Sequence, residues 1–335
     1  MSTVPISTRP RRARRPPWHR AYTAAALALV LFVIYLVRNH GFGSIEALGI
    51  TNAALPLALA AAGETFVILT NGIDLSIGSV ITLSNVVCAV IAGNGHAPLA
   101  VAAAIAVGAG AGCLNGLMVS FARIAPLIAT LATSSIYLGC ALIVLPNPGG
   151  SVPGWLSSWT AGSAGAVPVA VIWLAVAIVA GWVILRRTSF GINLQALGGS
   201  ESASRSAGIN VTRTRILAYV ASGTCSALAG VVLAGLTQSG DPTIGAVYLL
   251  DGIAAVVVGG TSLAGGIATI SGSVLGAIAL SLVSAVLLVS GLSTDYQYIV
   301  TGLIVIGALL AHTLQGRLGL RASRHVPASR GEAAG

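Results

Sequence analysis

Long apolar runs, separated by short polar breaks, account for most of this chain. A helix crossing about 30 Å of hydrocarbon needs roughly 20 mainly apolar residues. Ten runs come close to that length: 21–37, 46–69, 75–93, 97–120, 125–145, 167–185, 215–237, 246–260, 267–290 and 296–312. The pattern predicts an all-α, polytopic membrane bundle of about ten transmembrane helices. Run 46–69 contains Pro56 and Glu64, which predicts a kinked or broken helix. Run 246–260 is short and reads as a half-helix that re-enters the membrane. The first run follows a basic segment, Arg11 to Arg20, as in a signal peptide. More spans follow it and no polar domain does, so it is read as a retained first helix, with Arg11-Arg12 and Arg14-Arg15 as anchors.

The polar segments give an organisation. Residues 1–20 form an Arg-rich tail, 21–312 a transmembrane domain and 313–335 a second tail; the composition of both tails predicts disorder. The 146–168 loop is rich in Gly, Pro and Ser and carries Trp155 and Trp159, which suit an interfacial helix on the outer surface. The 186–215 loop is the only long one on the inner side. With an N-terminus in the cytoplasm, ten spans return the C-terminus there, and every arginine except Arg38 then falls inside. That asymmetry supports an even span count in a plasma (inner) membrane with both termini cytoplasmic.

Composition agrees. Of 335 residues, 56% are hydrophobic and 7% charged, with a mean hydropathy of +0.93. Soluble domains carry about 25% charged residues, too many for this chain and needed to cover a wet surface. The 42 glycines suit close helix contact in lipid. All 17 basic residues are Arg, and the net charge is +9. Their position at the ends and in a few loops points to membrane orientation, not to nucleic acid. Cys88, Cys113, Cys140 and Cys225 lie in apolar runs with no C-x-x-C pair, so they read as small buried hydrophobes, neither disulfides nor a zinc site. His19, His40, His96, His312 and His325 sit at span ends or in tails, none at metal or triad spacing, so no catalytic residue, metal or cofactor is expected. With no Lys there is no G-x-x-x-x-G-K-[ST] phosphate loop, and energy must come from another chain.

Three segments carry candidate chemistry. Residues 63–79 hold Glu64 inside an apolar run, where a charge costs about 2.5–3.5 kcal/mol. Asn71-Gly72 signals a turn, and Asp74 is placed to cap a helix beginning near Leu75, with a role in coupling as the alternative. Residues 198–209 read as a short helix: Gly198-Gly199 breaks the chain, Ser200 or Glu201 starts the helix, and Gly208 ends it. Residues 251–266 begin at Asp251, near a predicted outer end as is Asp295, and include Gly259-Gly260. Laid on 259–266 at an offset of 188, residues 71–78 match at Gly72, Leu75 and Gly78, which predicts two pseudo-repeated halves with breaks at Asn71-Gly72 and Gly259-Gly260. The polar residues Asn85, Asn115, Thr130 and Gln238 are read first as helix–helix hydrogen bonds.

These three segments resemble the ribose/xylose/galactose-type ABC importer permeases of the branched-chain amino acid/sugar permease superfamily. The resemblance spans about 45–312. It implies a second permease copy, identical or not, cytoplasmic ABC ATPase subunits, and a periplasmic or extracytoplasmic solute-binding protein that delivers a monosaccharide such as ribose. Segment 198–209 would be the coupling helix, with Gly198, Gly199, Glu201, Ala203, Arg205, Gly208 and Ile209 meeting the ATPase. Glu201 matches the family's acidic position and Gly208 its glycine. Ser202-Ala203 replaces a common alanine pair, and Asn71 stands where a second glycine is common. The gate and pathway candidates are Glu64, Asn71, Gly72, Asp74, Asp251, Gly259 and Gly260. The alternatives are a secondary transporter or channel, for which Glu64 is the clearest ion-coupling group, and an intramembrane enzyme, which lacks a catalytic constellation.

Overall fold

Backbone N–H and C=O groups find no water in hydrocarbon, so a chain this apolar must satisfy them within helices. A computed structural model describes residues 18–293, 296–304, 306–307 and 310. Most of both predicted tails, Asp295, His312 and His325 lie outside the described residues. The helices are α1 (Trp18–Asn39), α2 (Ser44–Leu69), α3 (Ile77–Gly93), α4 (Ala97–Ser120), α5 (Pro126–Val144), α6 (Gly154–Ala161), α7 (Val169–Arg187), α8 (Ser189–Gly199), α9 (Glu201–Ser206), α10 (Val211–Thr237), α11 (Ala246–Val258) and α12 (Ile270–Val289). A further helix, α13, covers 296–304. Between α6 and α7, β1 (Ser163–Ala164) and β2 (Val167–Pro168) form a small antiparallel hairpin.

Among the described residues, seven helices are long and apolar enough to cross a membrane: α1, α2, α4, α5, α7, α10 and α12. The shorter apolar α3 and α11, with α13, account for the other expected runs. The molecule is a polytopic helical bundle. Three expectations need correction. Helix α2 runs unbroken through Pro56 to Leu69. Cys140 is exposed on α5, unlike buried Cys88. The 186–215 loop holds two helices, α8 and α9, and α10 begins at Val211, four residues before the apolar run.

Helix α10 is central, packing on α2, α3 and α4. Gly108, Gly112 and Gly116 line one face of α4, and a Cβ at any of them would strike the α10 backbone near Gly223, Tyr219 and Ile216. This small-residue stripe lets dispersion contacts, not hydrophobic exclusion, hold the pair in lipid. At its C-terminal end α10 meets the 146–168 segment. Gln238 donates to the Ser157 hydroxyl at 3.3 Å, and Gly149 pairs with Gly240. The 27 residues of α10 separate that end from α8 and α9 by about 40 Å, at 1.5 Å per residue.

Candidate functional site

Helix α2 ends because Asn71 enters the left-handed region, at φ 63°. The Asn71 N–H then bonds the Ile68 carbonyl at 3.0 Å, and the Gly72 N–H the Val67 carbonyl at 3.2 Å, closing the helix end. Asp74 does not cap the next helix at Leu75. Instead Oδ1 accepts from the Ser76 N–H at 2.9 Å and the Ser76 hydroxyl at 2.6 Å, an Asx-turn, and α3 starts at Ile77 behind Ser76. The Leu75 N–H donates to Thr130 Oγ1 on α5 at 3.0 Å, pinning the link from its other side.

The link lies over a buried polar network. Glu64 is fully buried; Oε1 accepts from the Asp74 N–H at 3.2 Å, and Oε2 has no partner among the described residues. Asp74 Oδ2 accepts from the Ser222 hydroxyl of α10 at 3.0 Å. The network continues outward: Asn115 Nδ2 donates to Ser76 Oγ at 2.7 Å, and Thr133 Oγ1 and Tyr137 Oη donate to Asn115 Oδ1 at 2.7 Å and 3.2 Å. Five helices, α2, α3, α4, α5 and α10, are thereby tied around one polar knot. Neither ion pair among the described residues reaches it; both belong to Glu201. Ser222 and Tyr219 were not among the sequence candidates. Their signal was the recurrence Arg215, Tyr219, Ser222, Ser226, polar groups on one face of an apolar helix.

The second break repeats the first. The Gly260 N–H bonds the Val257 carbonyl at 2.9 Å, the Thr261 N–H bonds the Val256 carbonyl at 3.2 Å, and Gly260 has φ 81°. Asn71 and Gly260 are thus equivalent, an offset of 189, one residue from the offset of 188 read in the sequence. The two breaks also touch. The Gly266 N–H donates to the Leu69 carbonyl at 3.2 Å, and Asn71 Nδ2 donates to the Gly198 carbonyl at 3.3 Å. A Cβ on Gly198 would strike the Leu69 carbonyl and the Gly266 nitrogen, so only glycine lets α8 enter this junction. Gly259 packs with similar closeness on Gly272 of α12.

Helix α8 leads from the junction to α9. Ser200 caps α9 by accepting from the Ala203 N–H at 3.3 Å, and Gly208, at φ 79°, ends it while the Ile209 N–H returns to the Ser204 carbonyl at 3.0 Å. Of α9 only Ser204 is buried; Glu201, Ala203 and Arg205 are exposed, as is Gly199 just before it. The Glu201 carboxylate is not free. Oε1 pairs with Arg205 and Oε2 with Arg215 of α10, each at 2.7 Å. Hydrogen bonds from these two guanidinium groups, that of Arg205 first, hold Glu201 below the usual carboxylate range.

The remaining candidate, Asp251, is not part of this assembly. It lies on α11 and lines a cavity of about 380 Å³ between α2, α11, α12 and α13. Asn85 and Gln238 are engaged in hydrogen bonds within the chain, Asn85 with Gly230 and Asp241.

Residues 46–309 match the family described as the branched-chain amino acid transport system / permease component. The chain is 38% identical over 290 residues to the ribose import permease protein RbsC of Bacillus subtilis, covering 84% of this chain and 89% of the relative. It is 37% identical over 317 residues to RbsC of Escherichia coli K12, covering 92% and 98%. It is 32% identical over 324 residues to the galactofuranose transporter permease protein YtfT of the same strain, covering 93% and 94%. No solved structure matches.

Proposed function

The chain belongs to the family of branched-chain amino acid transport system / permease components, and from that membership we propose that it conducts a monosaccharide, ribose or a close relative, across the inner membrane. In this reading a separate cytoplasmic ABC ATPase drives it, an extracytoplasmic binding protein loads it, and a second permease copy completes the pore. The observation that carries the sugar is the match to ribose import permeases along nearly the whole chain, 92% of it in one case. The observation that supports the ATPase is α9, a short exposed helix at the end of α10 opposite the tryptophan-bearing loop. Both termini are read as cytoplasmic, on the arginine distribution.

Alternating access in this scheme works through the junction. Segments Leu69–Asn71, Gly265–Gly266 and Gly198 meet there, so a force applied to α8–α9 reaches the end of α2 and the link that follows α11 together. The buried Glu64–Asp74 pair favours one other reading, ion-coupled secondary transport, because unpaired carboxylates inside a membrane commonly serve ion pathways. Reconstitution in proteoliposomes with an ABC ATPase and a binding protein of the ribose-import type separates the two. ATP-dependent uptake of labelled D-ribose, indifferent to ionophores, is expected. Uptake without ATP that collapses with the proton or sodium gradient would establish the secondary transporter.

A further inference from the structure

The cavity on α11 is lined by polar groups, most of which no hydrogen bond among the described residues engages. Tyr248, Asp251, Ser281, Ser284, Gln297 and Tyr298 line it, above a floor that includes the buried Leu57 and Leu280. Asp251 is half-buried within an apolar helix, a costly place for a carboxylate. Among the described residues no cation pairs with it, since both ion pairs belong to Glu201, and no hydrogen bond reaches its carboxylate. Among the described residues only Ser284 of these side chains is hydrogen-bonded, its hydroxyl donating to the Leu280 carbonyl at 3.5 Å; the others face open space.

The lining limits what can bind. Among the described residues no Arg or His contributes to it, so a phosphate or carboxylate would meet the negative Asp251 with no cation beside it. A hard metal ion would find one carboxylate where such ions gather six to eight oxygens. Four hydroxyls, one amide and one carboxylate instead offer many neutral donors and acceptors. A carboxylate can accept from two neighbouring hydroxyls at once, and tyrosine rings can cover the C–H faces of a sugar. The volume lies in the range of about 300–1,000 Å³ usual for small-molecule sites. We propose that this cavity is a membrane-embedded binding site for a neutral monosaccharide, with Asp251 accepting hydrogen bonds from two adjacent sugar hydroxyls. The proposal deepens the transport function above and rests on it for the class of sugar.

Saturation-transfer NMR of the full chain in lipid nanodiscs, without partners, tests it with D-ribose, D-galactose and ethanolamine as probes. Transfer to at least one sugar and none to ethanolamine is expected from the wild type. Asp251→Asn should weaken that sugar at least tenfold and Ser281→Ala by a smaller factor, with thermal stability unchanged. The proposal is overturned if neither sugar receives transfer from the stable wild type, if stable Asp251→Asn binds as well as the wild type, or if ethanolamine is preferred. Failure of the transport function is read separately: sugar binding with no ATP-dependent sugar uptake by the assembled importer would sink that function and leave the site standing.

Discussion

At the scale of single residues, Asp74 is among the most heavily used polar groups of the described residues, level with Asn115. Asp74 takes three hydrogen bonds, two from Ser76 and one from Ser222. Leaving a buried donor unsatisfied costs about 1–3 kcal/mol. Asp74→Ala would leave the Ser76 N–H and the O–H donors of Ser76 and Ser222 without their acceptor, whereas Asp74→Asn keeps the Oδ1 acceptor and lets Ser222 turn to accept from the new amide. The expected outcome is a sharply lower melting temperature for purified Asp74→Ala, and near wild-type melting and uptake for Asp74→Asn. A stable, active Asp74→Ala protein would show that the knot holds nothing. Glu64 and Asp74 were legible because charge inside an apolar run stands out at once. Asn115, Thr133 and Tyr137 were not legible as one network, because neutral polar residues in a span have no pattern until helices are packed. Asp74 was misplaced by two residues because an Asx-turn and a helix cap use the same side-chain chemistry, and only the backbone angles separate them.

At the scale of elements, helix α9 is braced to α10 by Glu201. The sequence suggests that this exposed acid meets a basic residue of the ATPase, yet both oxygens bind arginines of the same chain. The bond to Arg215 joins α9 to the face of α10 that carries Tyr219 and Ser222 one and two turns on. Glu201→Arg should therefore leave insertion intact and lower sugar transported per ATP hydrolysed, because three guanidinium groups would then repel where a bridge stood. The exchange Glu201→Arg with Arg215→Glu should restore much of the loss. Failure of the double variant to recover, with both chains assembled, would return Glu201 to contact with the partner. Because its pKa is depressed, the contribution of Glu201 is present above the ordinary carboxylate pKa, about 4, and fades only as pH falls through the lower folded value; coupling should be level from pH 8 to 5. Helix α9 was readable from its glycine borders. Helix α8 was not, although Phe190, Leu194 and Leu197 recur at helical spacing, because Gly191, Gly198 and Gly199 disguise it as a loop. Two of those glycines are tertiary in origin: Gly191 lies against Leu185, and Gly198 against Leu69 and Gly266, while Gly199 stands in open space.

At the scale of the whole molecule, the two halves exchange partners. Helix α1 packs on α12, and α10, which precedes the second break as α1 precedes the first, packs on α3. Each half thus reaches across to grip the helix that follows the other's break. The sequence offered only three matched residues for this symmetry, since lipid-facing positions accept many apolar residues and erase repeats, while the helix ends, fixed by backbone hydrogen bonds, keep them. Both breaks close with the same pair of hydrogen bonds, and Gly198 meets the first break and the Gly265–Gly266 turn that follows the second, so the two links are placed to move together if α8 moves. Gly72 faces the Tyr219 hydroxyl, which has no partner among the described residues and lies 2.8 Å from where a Cβ would stand. Gly260 holds a backbone angle that Val rarely adopts. If the breaks are pivots, Gly72→Val and Gly260→Val should each give an inserted complex that binds its ATPase and transports several-fold more slowly. Both replacements together should be no worse than the slower one, because one blocked pivot already stalls the shared junction. If the breaks are static caps, the damage should appear as lost expression and lower melting temperature, and should add between the two sites. Measuring assembly, melting and ATP-driven uptake on the same purified variants distinguishes these outcomes, and full-speed transport by a stable double variant would eliminate the pivot.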